Sequence, residues 1–233
     1  MINIYKDKQE LAIGFCEELL KLRKNREQFN IALSGGSTPK IFFEELSKNY
    51  EDKFDWNQIH FYWGDERCVP PDDDESNYGM TKEYLLDHIN IPRDNIHRIK
   101  GEDDPEVEAK RYSEEIKKNI RLKNELPVFD LIILGLGEDG HTASIFPNQM
   151  ILLQSQKICE VATHPSTEQK RITLTGRVIN NSKAVTFLVA GEGKSEILKK
   201  VLKEKEKSLP AVRIQPVNGS LKYFVDEAAA RLL

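Results

Sequence analysis

Two rhythms of apolar and polar residues take turns along the chain. Short runs rich in β-branched and aromatic residues occur at Ile2 to Tyr5, Phe29 to Leu33, Ile59 to Trp63, Asn95 to Ile99, Phe129 to Leu134, Arg171 to Thr175, Ala184 to Ala190 and Tyr223 to Val225, and each reads as a strand. Helical spacing separates them. Leu11, Phe15, Leu19 and Leu22 fall on one face behind Asp7, a residue suited to capping a helix. Pro105 to Ile120 and Lys194 to Leu202 read as further helices, the charge run Lys199 to Lys207 as a solvated face, Ser76 as a cap after the acidic loop Asp72 to Glu75, and Asp226 as the cap of a last helix. Strands alternating with helices predict an α/β, Rossmann-like fold: a mainly parallel sheet with helices on both faces.

Bulk properties narrow the function without choosing one. The 233 residues can bury a full core, and neither an internal repeat, a low-complexity segment nor a linker interrupts them, so residues 1–233 are expected to form a single α/β domain. A net charge of −4, with both signs mixed along the chain, predicts no nucleic-acid partner. Cys16, Cys68 and Cys159 are odd in number and far apart, which points to reduced thiols in a cytoplasmic protein and to neither a zinc site nor a disulfide framework. Met1-Ile-Asn-Ile-Tyr-Lys-Asp-Lys has no apolar core of a signal peptide, and no run approaches the ~20 apolar residues of a membrane span, so no membrane association is expected. The expected partner is a small molecule, and the expected assembly a monomer or weak homo-oligomer.

The turns that leave the strands carry the chemistry. After Phe129 to Leu134 comes Gly135-Leu-Gly-Glu-Asp-Gly-His-Thr-Ala-Ser-Ile-Phe-Pro147. Its glycines let the backbone curl closely around a small group, and Asp139 and His141 stand two residues apart. In an open α/β sheet such a loop is where ligands bind, so His141 is the candidate general base, with Asp139 or another acid to orient it; the alternative is a histidine satisfied by backbone. After Phe29 to Leu33 comes Ser34-Gly35-Gly36-Ser37-Thr38-Pro39, where glycines, hydroxyls and a helix start make an anion site or a plain capped turn. Arg67, in Trp63-Gly-Asp-Glu-Arg, offers a fork for phosphate or oxyanion unless it pairs with neighbouring Asp65 or Glu66. Arg171 and Lys194 are cations at strand–helix junctions, while Phe61, Tyr62 and Trp63 read as core and pocket wall. No second ligand lies at metal spacing from His141, and His60, His88, His97 and His164 read as structural or exposed.

Together Leu33 to Pro39, Trp63 to Pro70, Gly135 to Pro147, Arg171 to Thr175 and the tail from Leu209-Pro-Ala to Val225-Asp resemble the 6-phosphogluconolactonase family, relatives of glucosamine-6-phosphate deaminase. The resemblance spans nearly the whole chain, and five blocks in the family's order make it specific. It implies a fold of the glucosamine-6-phosphate deaminase and ribose-phosphate isomerase type. It also implies hydrolysis of 6-phospho-D-glucono-1,5-lactone to 6-phosphogluconate in the oxidative pentose phosphate pathway, without metal or organic cofactor. His141, Asp139 and Arg67 then become the expected catalytic residues; Ser34, Gly35, Gly36, Ser37, Thr38, Arg171 and Lys194 become the expected substrate and phosphate contacts. The deaminases run from their Asp-Gly-His into Ala-Phe-Asn-Glu-Pro, whereas Thr142-Ala-Ser-Ile-Phe-Pro follows here. The segment before Arg171, Ser166-Thr-Glu-Gln-Lys170, lacks a second proline common in the family, and Tyr223 stands where tryptophan is frequent. A deaminase-like enzyme and a non-catalytic sugar-phosphate-binding module are the alternatives.

Overall fold

A computed structural model describes residues 1–24 and 26–233. Six strands, β1 (Ile2–Tyr5), β2 (Phe29–Leu33), β3 (Ile59–Trp63), β7 (Leu131–Leu134), β10 (Ala184–Val189) and β11 (Ser220–Asp226), form an all-parallel sheet in the order β1-β11-β10-β7-β2-β3. Between β3 and β10 the chain adds β4 (Asp65–Arg67), β8 (Cys159–Thr163) and β9 (Lys170–Leu174), an antiparallel sheet ordered β4-β9-β8, and a two-stranded ribbon, β5 (Leu122–Lys123) with β6 (Leu126–Pro127). The helices are α1 (Lys8–Arg23), α2 (Ser37–Asn49), α3 (Asn77–Tyr84), α4 (Pro105–Asn119), α5 (Gly176–Asn180), α6 (Ser195–Lys199) and α7 (Glu227–Ala230).

The helix starts follow their capping residues. Asp7 accepts from the N–H groups of Gln9 and Glu10, Ser76 from Gly79, and Asp226 from Ala229, so each satisfies amide groups that a first turn leaves without partners. The core reflects strands buried on both faces. Residues Leu131 to Leu134 and Phe29 to Leu33 are buried throughout, the continuous apolar pattern expected of a covered parallel sheet. Phe15 of α1 packs edge-on against Phe42 of α2 and Phe224 of β11, while the paired residues Phe187 and Tyr223 stack 4.8 Å apart on the other face.

The strand order creates the site. From β2 the chain moves outward to β3; from β7, on the other side of β2, it proceeds through β10 and β11 toward the opposite edge. The crevice between the ends of β2 and β7 is therefore a topological switch point, where an open α/β sheet leaves room for a ligand. The small sheet is fastened beside it. Gly64, which ends β3 by donating to the Leu33 carbonyl, accepts from Leu174 N–H at the end of β9.

Three expectations need correction. Asn95 to Ile99 is not a strand: Arg93–Asn95 is a short turn of helix, Ile96 makes one parallel bridge to Phe61, and the His97 ring is drawn aside by stacking on Tyr62 and bonding Glu115 of α4. The Arg171 strand pairs antiparallel, outside the main sheet. The helix expected from Lys194 to Leu202 begins as a tight turn over Glu192–Lys194, is α-helical only over Ser195–Lys199, and widens over Lys200–Glu204.

One buried contact makes a stability test. The fully buried Tyr112 of α4 accepts from Trp63 N–H at 2.9 Å and donates to the Trp63 carbonyl at 3.1 Å, closing the end of edge strand β3. Removing the hydroxyl strands two buried backbone groups. Tyr112→Phe is expected to cost about 1–3 kcal/mol, read as a lowered urea midpoint at unchanged slope. An unchanged midpoint would show that these groups find other partners.

Candidate active site

Segments distant in sequence meet over the switch point. A cleft of about 290 Å³ is lined by the turn Ser34, Gly35, Gly36, Ser37 and Thr38, by Asp65 and Arg67, by Gly135, Gly137 and His141, and by Arg171 and Lys194. Asp139, expected beside His141, forms no part of the lining and instead stands behind the imidazole.

The glycine turn after β7 shapes the acid–histidine pair. His141 Nδ1 lies 2.5 Å from Asp139 Oδ1, which also accepts from the His141 backbone N–H at 3.1 Å. A carboxylate can only accept, so Nδ1 carries a proton, and in the neutral ring Nε2 is the nitrogen with the lone pair. Burial pulls the Asp139 carboxyl upward, but the hydrogen bond and charge of His141 and backbone N–H groups outweigh it and leave it below the ordinary range. The His141 ring rests 4.8 Å from Phe146, whose other contacts include the edge of His164 and the Arg171 guanidinium, 5.7 Å from its centroid. His164, which the sequence left as structural or exposed, thus packs in the wall behind the site. Its Nδ1 accepts from Ser166 and Thr167 N–H and shapes the proline-poor turn that leads to Arg171.

The turn after β2 is built for close approach. Gly36 has φ +110°, a conformation that side chains disfavour, and caps α2 without a side-chain bond. The backbone therefore opens toward the cleft at a helix start, with Ser37 and Thr38 in the first turn and Pro39 third. Gly35 is held close by Asn77, which also lines the cleft.

Opposite stands a pair of arginines. Arg67 and Arg171 are direct partners across β4 and β9. Arg67 forms no local ion pair with its neighbours, because their carboxylates are engaged elsewhere. Asp65 accepts from Ser144 Oγ at 2.6 Å, and Glu66 accepts from three donors around the start of α3 and from the backbone N–H, not the guanidinium, of Arg67. Arg67 Nη1 donates to the Glu75 carbonyl, and among the described residues the buried Nε atoms of both arginines lack a hydrogen-bond partner. Burial first, and Arg67 second, push the Arg171 guanidinium below its usual range. Two desolvated cations side by side with unused donors form a site for an anion. Lys194 reaches the cleft from beyond β10, where Asp226 fixes the preceding turn by accepting from Gly191 N–H through both oxygens, 3.0 Å each.

The sequence reading missed Asn77 as a cleft residue. Its signal was present, since Ser76 was recognised as a helix cap and the next residue opens that helix, but only the fold brings α3 against Gly35. Phe61, Tyr62 and Trp63 are buried core and line no part of the cleft. Among the described residues, no group of three His, Cys, Asp or Glu side chains is arranged to hold a metal ion.

Known proteins share this architecture and sequence. The model of the family glucosamine-6-phosphate isomerases/6-phosphogluconolactonase matches residues 6–223. A 6-phosphogluconolactonase of Haemophilus influenzae is 46% identical over 207 residues, covering 88% of this chain and 87% of the relative. The human 6-phosphogluconolactonase is 36% identical over 242 residues, covering 100% of this chain and 93% of the relative. The structure of a 6-phosphogluconolactonase from Trypanosoma brucei superposes with a TM-score of 0.91 at 28% identity, covering 100% of this chain and 98% of the other. The match runs through every loop that lines the cleft, and the chain belongs to the glucosamine-6-phosphate isomerase/6-phosphogluconolactonase family.

Proposed function

We propose that residues 1–233 work as one lactonase domain that hydrolyses 6-phospho-D-glucono-1,5-lactone to 6-phospho-D-gluconate in the oxidative pentose phosphate pathway. The relatives' common name supports the substrate. The observation that carries the chemistry is a histidine with a free Nε2, backed by a carboxylate, facing a cleft walled by two unpaired arginines. His141 Nε2 takes a proton from water as the oxygen attacks C1. The carbonyl becomes an oxyanion. Gly137 and Gly140 N–H already donate within their own turn, which favours Arg67 as the oxyanion partner. The imidazolium, steadied by Asp139, returns the proton to the ring oxygen as the C1–O bond breaks. Neither step calls for a metal or an organic cofactor.

The phosphate falls to Ser34, Gly35, Gly36, Ser37, Thr38, Arg171 and Lys194. It is remote from C1, so its binding energy serves to orient the ring for attack. Among the described residues no helix is long and apolar enough to cross a membrane. With three free cysteines this suits a cytoplasmic enzyme, acting as a monomer or weak homo-oligomer.

The test is direct. Lactone generated in situ and followed by NMR should disappear faster with the protein than without it. Arg171→Ala should raise KM about tenfold or more with a smaller change in kcat. No acceleration over spontaneous hydrolysis, with 6-phosphogluconate still bound, would leave a sugar-phosphate-binding module instead. An unchanged KM in Arg171→Ala would remove that residue from the phosphate site.

A further inference from the structure

We infer that Glu66 is the positioning residue of this site: its buried carboxylate fixes the Arg67 backbone and the first turn of α3, and so sets where the Arg67 guanidinium and the Asn77 side chain meet the substrate. This deepens the lactonase reading and rests on it.

Glu66 is 2% exposed and lines no part of the cleft. Oε1 accepts from Arg67 N–H and Asn77 N–H, each at 2.8 Å, and Oε2 from Tyr78 N–H at 2.7 Å and Ser76 Oγ at 3.2 Å. One anion thus gathers four donors from two segments. It neutralises the amide groups that open α3 and locks them to β4. A buried carboxylate is costly unless such donors surround it, and an apolar residue would leave those donors stranded.

Two of the four ties end at cleft residues, Arg67 and Asn77. Among the described residues the Arg67 head makes one hydrogen bond, Nη1 to the Glu75 carbonyl, and its buried Nε has no partner, so its location depends on its backbone. Asn77, placed by its own N–H on Glu66, turns its Nδ2 to the Asp65 carbonyl at 2.9 Å and presses its Oδ1 against Gly35, where a Cβ would stand 1.7 Å away. Arginine wall, Asp65 and phosphate turn are therefore referenced to one carboxylate.

Burial pushes the Glu66 carboxyl up to about 7, against the pull of the Asn77, Tyr78 and Arg67 amides and with the adjacent Asp65 adding to the rise. Arg67 and Arg171 are the cations on its side of the cleft, and Cys68 is the neighbouring thiol. The anionic form suits four donors and no acceptor.

The experiment is a double-mutant cycle in the full chain. Glu66→Gln keeps the shape but turns an amide N–H toward one donor pair. It should stay folded, seen as a single cooperative melt, and lower kcat about tenfold or more while KM shifts less than about threefold. In an Arg67→Ala background the same change should cost clearly less, because one of its two targets is gone and only the placement of Asn77 remains to be lost. A folded Glu66→Gln with wild-type kcat, or a loss that adds in full to that of Arg67→Ala, overturns the inference. So does a loss that scales only with the unfolded fraction. If the wild type shows no turnover, the lactonase reading fails on its own, and the same cycle read as 6-phosphogluconate affinity by calorimetry still decides whether Glu66 acts through Arg67.

Discussion

Replacing His141 by alanine is expected to lower kcat by about 10²–10⁴-fold while KM and the melting temperature stay close to wild type. The imidazole is the cleft's one nitrogen base with a free lone pair, since Nδ1 is committed to Asp139 and the remaining nitrogens of Arg67, Arg171 and Lys194 belong to cations. Its side chain is a quarter exposed (25%), so truncation opens little core. In the proposed mechanism its contribution lies in the proton it moves and not in holding substrate, which predicts a kcat effect with binding preserved. Steady-state kinetics on in situ lactone check this, with spontaneous hydrolysis subtracted. A variant with full kcat would place the base elsewhere.

A comparable loss is expected from a single methyl group. In Gly137→Ala the new Cβ would stand 2.1 Å from His141 Nδ1 and 2.7 Å from Asp139 Oδ1. Contacts that short force a shift, and what gives way is the acid–histidine pair, because its side chains move more easily than the turn. Gly137 N–H still bonds the His141 carbonyl at 2.9 Å, so the loop keeps its form. The expected result is a drop in kcat of about 10²-fold or more, with little loss of thermal stability. Near-normal activity in Gly137→Ala would mean that the pair tolerates displacement and that its 2.5 Å contact is unimportant.

Much of this was legible in sequence because strong local signals coincide with the site. The buried strands Phe29 to Leu33 and Leu131 to Leu134 end in glycine-rich turns, and the switch-point rule places both turns at one crevice. What the sequence did not reveal depends on pairing between distant segments. β4 is three residues of acid and arginine with no strand signature, and becomes a strand only because β9 lies alongside it. That same pairing decides whether Arg67 meets Glu66 or faces the cleft, a choice the sequence left open. Asn95 to Ile99 has the composition of a strand but lacks a neighbour to continue the ladder, so composition alone misled.

The proposed anion-binding wall has no local owner. Arg67 and Arg171 sit on strands of the small sheet, and Ser34, His141 and Lys194 in turns that follow separate strands of the large one, the two sheets being joined at the Gly64 carbonyl. No fragment of the chain holds the wall, so product affinity is a property of the completed fold. Bound 6-phosphogluconate must then be released before any global unfolding, and at a hundredfold excess over Kd it would protect the entire molecule by about 2.7 kcal/mol. By the same linkage, product at that excess would also slow proteolysis, which needs the opened chain.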